Sequence, residues 1–207
     1  MTGTPLPLEI EVPTHVHDAM TRYVAPQGTI HAAQQNTAIH ELAGAVRSMG
    51  LPEGAWLHAD SRNLWPPTKA EYSVWPVSAL PETLTLYRGA SQRAAKRYAW
   101  TPQLDCALTF IKSEWHDEPW RRGATNLRPG LELYIYQVNL TRQQIVDANL
   151  IAWRSTSFRG YEELMFADPS ALPDPTAVGH IGPRGQYEAF DAGDSSAPDS
   201  NTTAPAT

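Results

Sequence analysis

The sequence contains few cysteines, few charged side chains and no long apolar run. Its single cysteine, Cys106, excludes an internal disulfide and a zinc site built from several cysteines. Charged residues make up only 18% of the 207 residues and the net charge is −6, so a broad basic surface for non-specific nucleic-acid binding is not expected. No apolar run reaches the roughly 18 residues of a transmembrane helix, and the N-terminus lacks the features of a signal peptide. We therefore expect a cytoplasmic, monomeric protein without membrane contacts.

Proline and glycine, in contrast, are abundant, with 18 and 13 residues, which predicts many turns and loops. Apolar residues make up 42% of the chain, which is enough for a sizeable core. We divide the chain into an N-terminal helical and irregular segment (1–80) packed on the core, a core (81–172), an irregular C-terminal extension (173–190) and a tail (191–207). The tail has no aromatic or branched aliphatic side chain and is predicted to be disordered.

Two helices are predicted in the N-terminal segment. The first runs from Thr14 to about Val24. The second has apolar residues at helical spacing from Ile39 to Met49, and Gly50 ends it. The proline- and tryptophan-rich stretch that follows, Leu51–Pro81, is predicted to be an irregular connection.

Strands make up most of the predicted core. Thr83–Arg88 alternates polar and apolar residues and is predicted to end at Gly89. Thr101 and the proline after it begin a helix with one apolar face. The other predicted strands are Leu131–Leu140, Leu150–Trp153 and Leu164–Ala167, and the Ser155–Ser157 stretch is predicted to be a loop. Thr141 is predicted to cap one short turn, and Cys106 is expected to be a buried apolar residue rather than a nucleophile. Helices followed by strands indicate an α+β fold.

Three short segments carry residues suited to chemistry. Tyr87–Ala90 places an arginine and a glycine at a strand end, where a guanidinium can reach a phosphate. Trp100 and Thr101 precede a helix that carries Ala107 and Phe110. Phe158–Phe166 contains two adjacent glutamates ahead of an apolar strand. Each segment alone has an ordinary explanation, namely a surface ion pair, a capped helix over a buried tryptophan, and a solvated strand start.

The order and spacing of the three segments resemble the mono-ADP-ribosyltransferases of the Arg–Ser–Glu, or cholera-toxin-like, class, especially their small bacterial and phage members. The resemblance covers residues 83–169. It implies an ADP-ribosyltransferase-like split antiparallel β core with an N-terminal helical segment. It also implies NAD as the substrate, no metal, and a protein or nucleic-acid acceptor.

The resemblance assigns roles to individual residues. Glu163 matches the catalytic glutamate, Arg88 the arginine that contacts the NAD phosphates, and Thr101 the last hydroxyl of the Ser-Thr-Ser motif. The remaining implied NAD-binding residues are Tyr87, Gly89, Trp100 and Phe110. Breaking the bond between nicotinamide and ribose leaves positive charge on the sugar, and a nearby carboxylate stabilises it. There is no GxGxxG, so a Rossmann-type NAD site is not implied.

Two positions depart from the family pattern. Ala99 replaces the first serine of the Ser-Thr-Ser motif, which helps to orient the catalytic glutamate in the family. Tyr161 lies two residues before Glu163, where the family has glutamate or glutamine facing the acceptor. Tyr161 and Phe158 are therefore predicted to recognise the acceptor by stacking, or else to pack the loop onto the domain.

Other functions remain open at this point. The fold can be kept as a non-catalytic binding module that acts on a host protein, with Ala99 as the first sign of lost catalysis. An RNA 2′-phosphotransferase on a related fold is disfavoured by the net charge and by the lack of histidine near Arg88.

Overall fold

In a computed structural model of the chain, the described residues (5–24, 32–61, 71–92, 95–116, 132–156, 160–182 and 186–191) form two β-sheets and four α-helices, which confirms the α+β class. The helices are α1 (Thr14–Val24), α2 (Ala32–Arg47), α3 (Leu104–His116) and α4 (Arg142–Asp147). The strands are β1 (Trp56–Ser61), β2 (Glu71–Trp75), β3 (Thr83–Ser91), β4 (Ala99–Trp100), β5 (Leu133–Thr141), β6 (Leu150–Thr156), β7 (Glu162–Phe166), β8 (Thr176–Ile181) and β9 (Tyr187–Ala189). None of the helices described is long and apolar enough to cross a membrane.

The strands form two sheets that meet at one point. The first sheet has the order β2-β1-β6-β7-β4 and the second has the order β3-β5-β8-β9. All neighbouring strands are antiparallel except β1 and β6, which are parallel. A backbone bridge between Tyr87 of β3 and Thr101, just after β4, links the two sheets. The main apolar core lies between them and includes Leu86, Trp100 and Phe166.

Helices cover the sheets on both outer faces. Helices α1 and α2 pack on the first sheet through an apolar cluster that includes Val16, Leu42 and Met165. Helix α3 packs on the second sheet through Ala107 and Ile111. The bounds of α1 agree with the prediction, and Gly50 has the left-handed backbone (φ +63°) expected after α2.

The irregular connection predicted for Leu51–Pro81 is wrong, because this stretch contains β1 and β2. Leu57, Ala59 and Val74 are buried in these strands, and β1 lies beside β6 in the first sheet. The first sheet therefore includes residues on both sides of the predicted boundary at residue 80. The prolines of this stretch lie outside both strands, and each strand is only five or six residues long, so the alternation that marks a half-buried strand was not recognised.

Two other predicted bounds also need correction. The strand expected to end at Gly89 continues to Ser91, because β5 pairs with it along its whole length. The extension expected to be irregular (173–190) contains β8 and β9, which complete the second sheet. In β8, Ala177 is buried in the main core and Ile181 is buried in the cluster under α3. Of the predicted tail, residues 192–207 lie outside the described residues.

The helix predicted to begin at Thr101 and Pro102 begins three residues after Thr101, at Leu104, whereas the cap predicted at Thr141 is confirmed. Helix α3 follows Thr101, whose Oγ1 accepts a hydrogen bond from the backbone N–H of Gln103 (3.2 Å). Thr141 caps α4, and Gln144 completes a reciprocal capping box with it.

Candidate active site

Arg88, Thr101 and Glu163 lie at the junction of the two sheets. Thr101 exchanges two backbone hydrogen bonds (2.7 and 3.0 Å) with Tyr87, the residue before Arg88. Strand β4 pairs with β7 so that Trp100 is opposite Leu164. Thr101 follows Trp100 and Glu163 precedes Leu164 on antiparallel strands, so Thr101 and Glu163 are also neighbours. The junction thus brings together three residues from three separate segments of the chain, with Arg88 inside β3, Thr101 just after β4 and Glu163 near the start of β7.

Glu163 is a buried carboxylate with a separate donor on each oxygen. The residue is only 4% exposed. Its Oε2 accepts a hydrogen bond from Nη2 of Arg154 on β6 (2.9 Å), and its Oε1 accepts one from the hydroxyl of Tyr23 on α1 (3.1 Å). Arg154, which is 7% exposed, lies directly opposite Glu163 in the β6–β7 ladder. The two side chains therefore form a buried ion pair.

The electrostatics of the site follow from burial and from this ion pair. Burial by itself lowers the pKa of Arg154 and is the largest single effect. The charge and hydrogen bond of Glu163, together with the neighbouring Tyr161 and Tyr23, outweigh it, so the pKa is raised overall. The pKa of Tyr23 is raised well above 10, first by burial and then by the charge of Glu163, while Arg154 and Arg88 act in the opposite direction. Tyr23 therefore stays protonated and acts as a hydrogen-bond donor to the carboxylate.

The Arg88 side chain contacts β4 at the junction of the two sheets. Its Nη1 donates a hydrogen bond to the backbone carbonyl of Ala99 (2.6 Å). The residue is half-buried, whereas Arg154 is buried. Of these two arginines, Arg88 is the one that a phosphate group can reach from solvent.

Gly89 has a packing explanation that does not involve a ligand. A Cβ atom at this position lies 2.7 Å from Cβ of Ile111 and 2.9 Å from the carbonyl oxygen of Ala107, both on α3. Only glycine therefore lets α3 approach β3 this closely.

The other implied NAD-binding residues differ in their placement. Trp100 is 2% exposed, belongs to the core between the sheets and donates from Nε1 to the carbonyl of Arg97 (2.8 Å). Tyr87 packs at the edge of the cluster under α3 and supplies the backbone bridge to Thr101. Phe110 falls within α3, but its side chain lies outside the described residues, as does Phe158.

Tyr161 lies beside the ion pair. Its ring centroid is 5.4 Å from the guanidinium carbon of Arg154, which is a cation–π distance. The hydroxyl is buried, and burial followed by the charge of Glu163 raises the pKa of Tyr161 well above 10. The polar end of Tyr161 is therefore inside the protein, near the carboxylate.

Cys106 is buried, as the sequence indicated. Its Sγ donates to Oε1 of Gln103 (2.7 Å), and burial raises the pKa of the thiol. This environment does not favour the thiolate, so Cys106 is a poor nucleophile in this state.

The two donors to Glu163 were missed by the sequence reasoning. Arg154 was missed because the strand predicted to end at Trp153 continues to Thr156, so Ser155 lies in β6 rather than in a loop. An arginine and a glutamate on two apolar strands joined by a short loop are a signal for a cross-strand pair. Tyr23 is 140 residues away from Glu163 along the chain, and its sequence neighbours carry no such signal.

The site is therefore defined by its own geometry. Within the described part of the chain, no group of three or more His, Cys, Asp and Glu residues is arranged to hold a metal ion. In comparisons with known proteins, no family model, no curated protein and no solved structure matches the chain. What the junction offers chemically is the guanidinium of a half-buried arginine, a threonine and a carboxylate with two fixed donors.

Proposed function

We propose that the protein is an NAD-dependent mono-ADP-ribosyltransferase with an ADP-ribosyltransferase-like fold. It transfers ADP-ribose from NAD to a macromolecular acceptor and releases nicotinamide, with hydrolysis of NAD as a side reaction. One observation carries the proposal. Arg88, Thr101 and Glu163 were selected by resemblance from three separate segments, and all three lie at the junction of the two sheets.

Glu163 is the catalytic residue in this proposal. Loss of nicotinamide leaves positive charge on the ribose, and a carboxylate fixed next to the sugar stabilises that charge. A carboxylate has about four acceptor positions, and two are used by Tyr23 and Arg154, so it can also accept a hydrogen bond from a ribose hydroxyl. No strong general acid is needed, because nicotinamide leaves as a neutral molecule.

Arg88 and Thr101 hold the dinucleotide in this proposal. The planar guanidinium of Arg88 suits a bidentate contact with a phosphate, and the residue is half-buried. Thr101 ties β4 to β3 and caps the turn before α3, which fixes the distance between Arg88 and Glu163. Orientation of this kind supplies a large part of the barrier reduction in such reactions.

The direct test is release of nicotinamide from NAD by the purified protein. Glu163→Gln is expected to lower the rate by roughly 10²–10³-fold, and Glu162→Gln, the adjacent half-buried residue, is the matched control with a small effect. Arg88→Lys is expected to raise the NAD concentration for half-maximal rate by about tenfold or more, because lysine lacks the bidentate fork. Arg97→Lys, an exposed arginine close in sequence, is its control.

Three results count against the proposal. The first is a wild-type protein that releases no nicotinamide. The second is an exchange of the Glu162 and Glu163 phenotypes, which means that the motif assignment is off by one residue. The third is an unchanged NAD requirement in Arg88→Lys. Circular dichroism of each variant separates lost activity from lost folding.

A non-catalytic binding module is the second candidate, and the ion pair is the observation that favours it. A buried Glu163 neutralised by Arg154 is also what a purely structural pair looks like. Ala99 at the serine position points the same way. Calorimetry that detects no NAD binding, together with tight binding to a host protein, would support this candidate.

A further inference from the structure

The two donors to Glu163 come from different layers of the fold. Arg154 is on β6, in the same sheet as Glu163, and Tyr23 is on α1, which packs on that sheet through Val16 and Met20. Each donor binds a different oxygen of the carboxylate. A carboxylate held at both oxygens from two directions is restricted in its terminal torsion angle.

We propose that Tyr23 and Arg154 are positioning residues that fix the orientation of the Glu163 carboxylate for the reaction. This inference rests on the proposed function. Neither residue needs to touch NAD, because both act through Glu163. The pair of donors also explains how the site is ordered although Ala99 has no hydroxyl to offer.

Arg154 is itself held in place. It is buried, it lies opposite Glu163 in the ladder, and the ring of Tyr161 lies 5.4 Å from its guanidinium carbon. An arginine in this setting has little rotational freedom, so its Nη2 holds Oε2 of Glu163 in a fixed position. The hydrogen bond from the Tyr23 hydroxyl then fixes the position of Oε1, the second oxygen of the carboxylate.

The proposal predicts a split between the two kinetic constants. Arg88 has its own hydrogen bond to the Ala99 carbonyl, so loss of the Tyr23 hydroxyl is expected to leave the proposed phosphate contact of Arg88 intact. A carboxylate that is free to turn is less often aligned with the ribose, which lowers kcat rather than raising KM. A misplacement of about 1 Å in such a site can cost about a hundredfold in rate.

The experiment compares Tyr23→Phe with Tyr98→Phe in the full chain, with nicotinamide release from NAD as the assay. The Tyr98 hydroxyl makes a hydrogen bond of the same length (3.1 Å), but its partner is His40 on α2. Tyr23→Phe is expected to lower kcat by between about tenfold and about a hundredfold with KM within twofold of wild type. Tyr98→Phe is expected to change neither constant by more than twofold.

A second pair of variants tests Arg154. Arg154→Lys keeps a positive donor on β6, whereas Arg154→Met removes it. The lysine variant is expected to retain at least tenfold more kcat than the methionine variant. If Arg154→Met does not fold, Tyr23→Phe alone decides the question.

Each contrary result has a separate meaning. An unchanged kcat in Tyr23→Phe, while Glu163→Gln is inactive, overturns the positioning role and leaves the proposed function standing. An increased kcat also overturns it, since the Tyr23 contact would then be holding the carboxylate away from substrate. A change in KM alone assigns Tyr23 to NAD binding instead. A wild-type protein that does not release nicotinamide overturns both proposals.

Discussion

Glu163→Gln tests the stability of the site as well as its activity. The substitution keeps the shape of the side chain but removes its negative charge, while Arg154 remains charged and almost completely buried. Breaking a buried ion pair by removing one partner costs about 3–5 kcal/mol. The amide oxygen of glutamine still accepts from Arg154, so we expect a loss near the lower end of that range. Since domains of this kind are stable by about 5–15 kcal/mol, the variant should still fold.

The assay is urea denaturation of Glu163→Gln, Arg154→Met and the double variant. Each single substitution leaves one buried charge without its counter-charge, whereas the double variant leaves neither charge of the pair. Its cost is therefore expected to be smaller than the sum of the single costs by about 2–3 kcal/mol. Additive costs would refute the assignment of a coupled buried pair.

The chain contains a matched control for this cycle. Arg142 and Glu82 also form an ion pair of 2.9 Å, but their side chains are 32% and 83% exposed. Arg142 keeps its hydrogen bonds to the Leu80 carbonyl when Glu82 is changed. Glu82→Gln is therefore expected to cost less than about 1 kcal/mol. A loss as large as that of Glu163→Gln would show that burial is not the cause of the difference.

Other substitutions test the surroundings of the site. Gly89→Ala is expected to destabilise the protein by about 1–3 kcal/mol, because the new Cβ meets Ile111 and the backbone of α3; a change below about 0.5 kcal/mol in urea denaturation would contradict this packing. Tyr161→Ala is expected to lower transfer and nicotinamide release together, since its hydroxyl is buried near Glu163; loss of transfer alone would instead assign it to the acceptor. Burial raises the pKa of Tyr136 to about 12, so the folded state keeps a proton that the unfolded chain loses near pH 10. Stability should therefore fall as the pH rises from about 10 towards 12, and Tyr136→Phe should remove that part of the fall in urea midpoints.

Local patterns were enough to predict the elements that carry one clear periodicity. Three features depend only on residues a few positions apart along the chain, namely apolar residues at helical spacing and the residues at helix ends. They are the bounds of α1, the end of α2 and the capping of α4 by Thr141. Strand β5 could be predicted because it is rich in aromatic and β-branched residues, which favour strands.

Elements whose burial depends on distant partners could not be predicted in the same way. Strand β1 is buried because β6, almost a hundred residues later, lies parallel to it, and β8 is buried because it pairs with β5. Their own sequences are short and contain glycine, histidine or tryptophan, so local propensity did not distinguish them from loops. The same limit applies to the site, where Arg88, Thr101 and Glu163 were found from local motifs but Tyr23 was not.

The position of the candidate site follows from how the two sheets are joined. Thr101 forms the bridge to Tyr87, Gly89 allows α3 to pack on β3, and Trp100 fills the core directly beneath. These residues stabilise the junction whether or not a ligand binds there. A substitution at any of them therefore changes both the stability of the fold and the distance between Arg88 and Glu163. Arg88→Lys and Tyr23→Phe remove a donor without adding bulk to that junction, so their kinetic effects report on chemistry more directly than those of Thr101 or Gly89 variants.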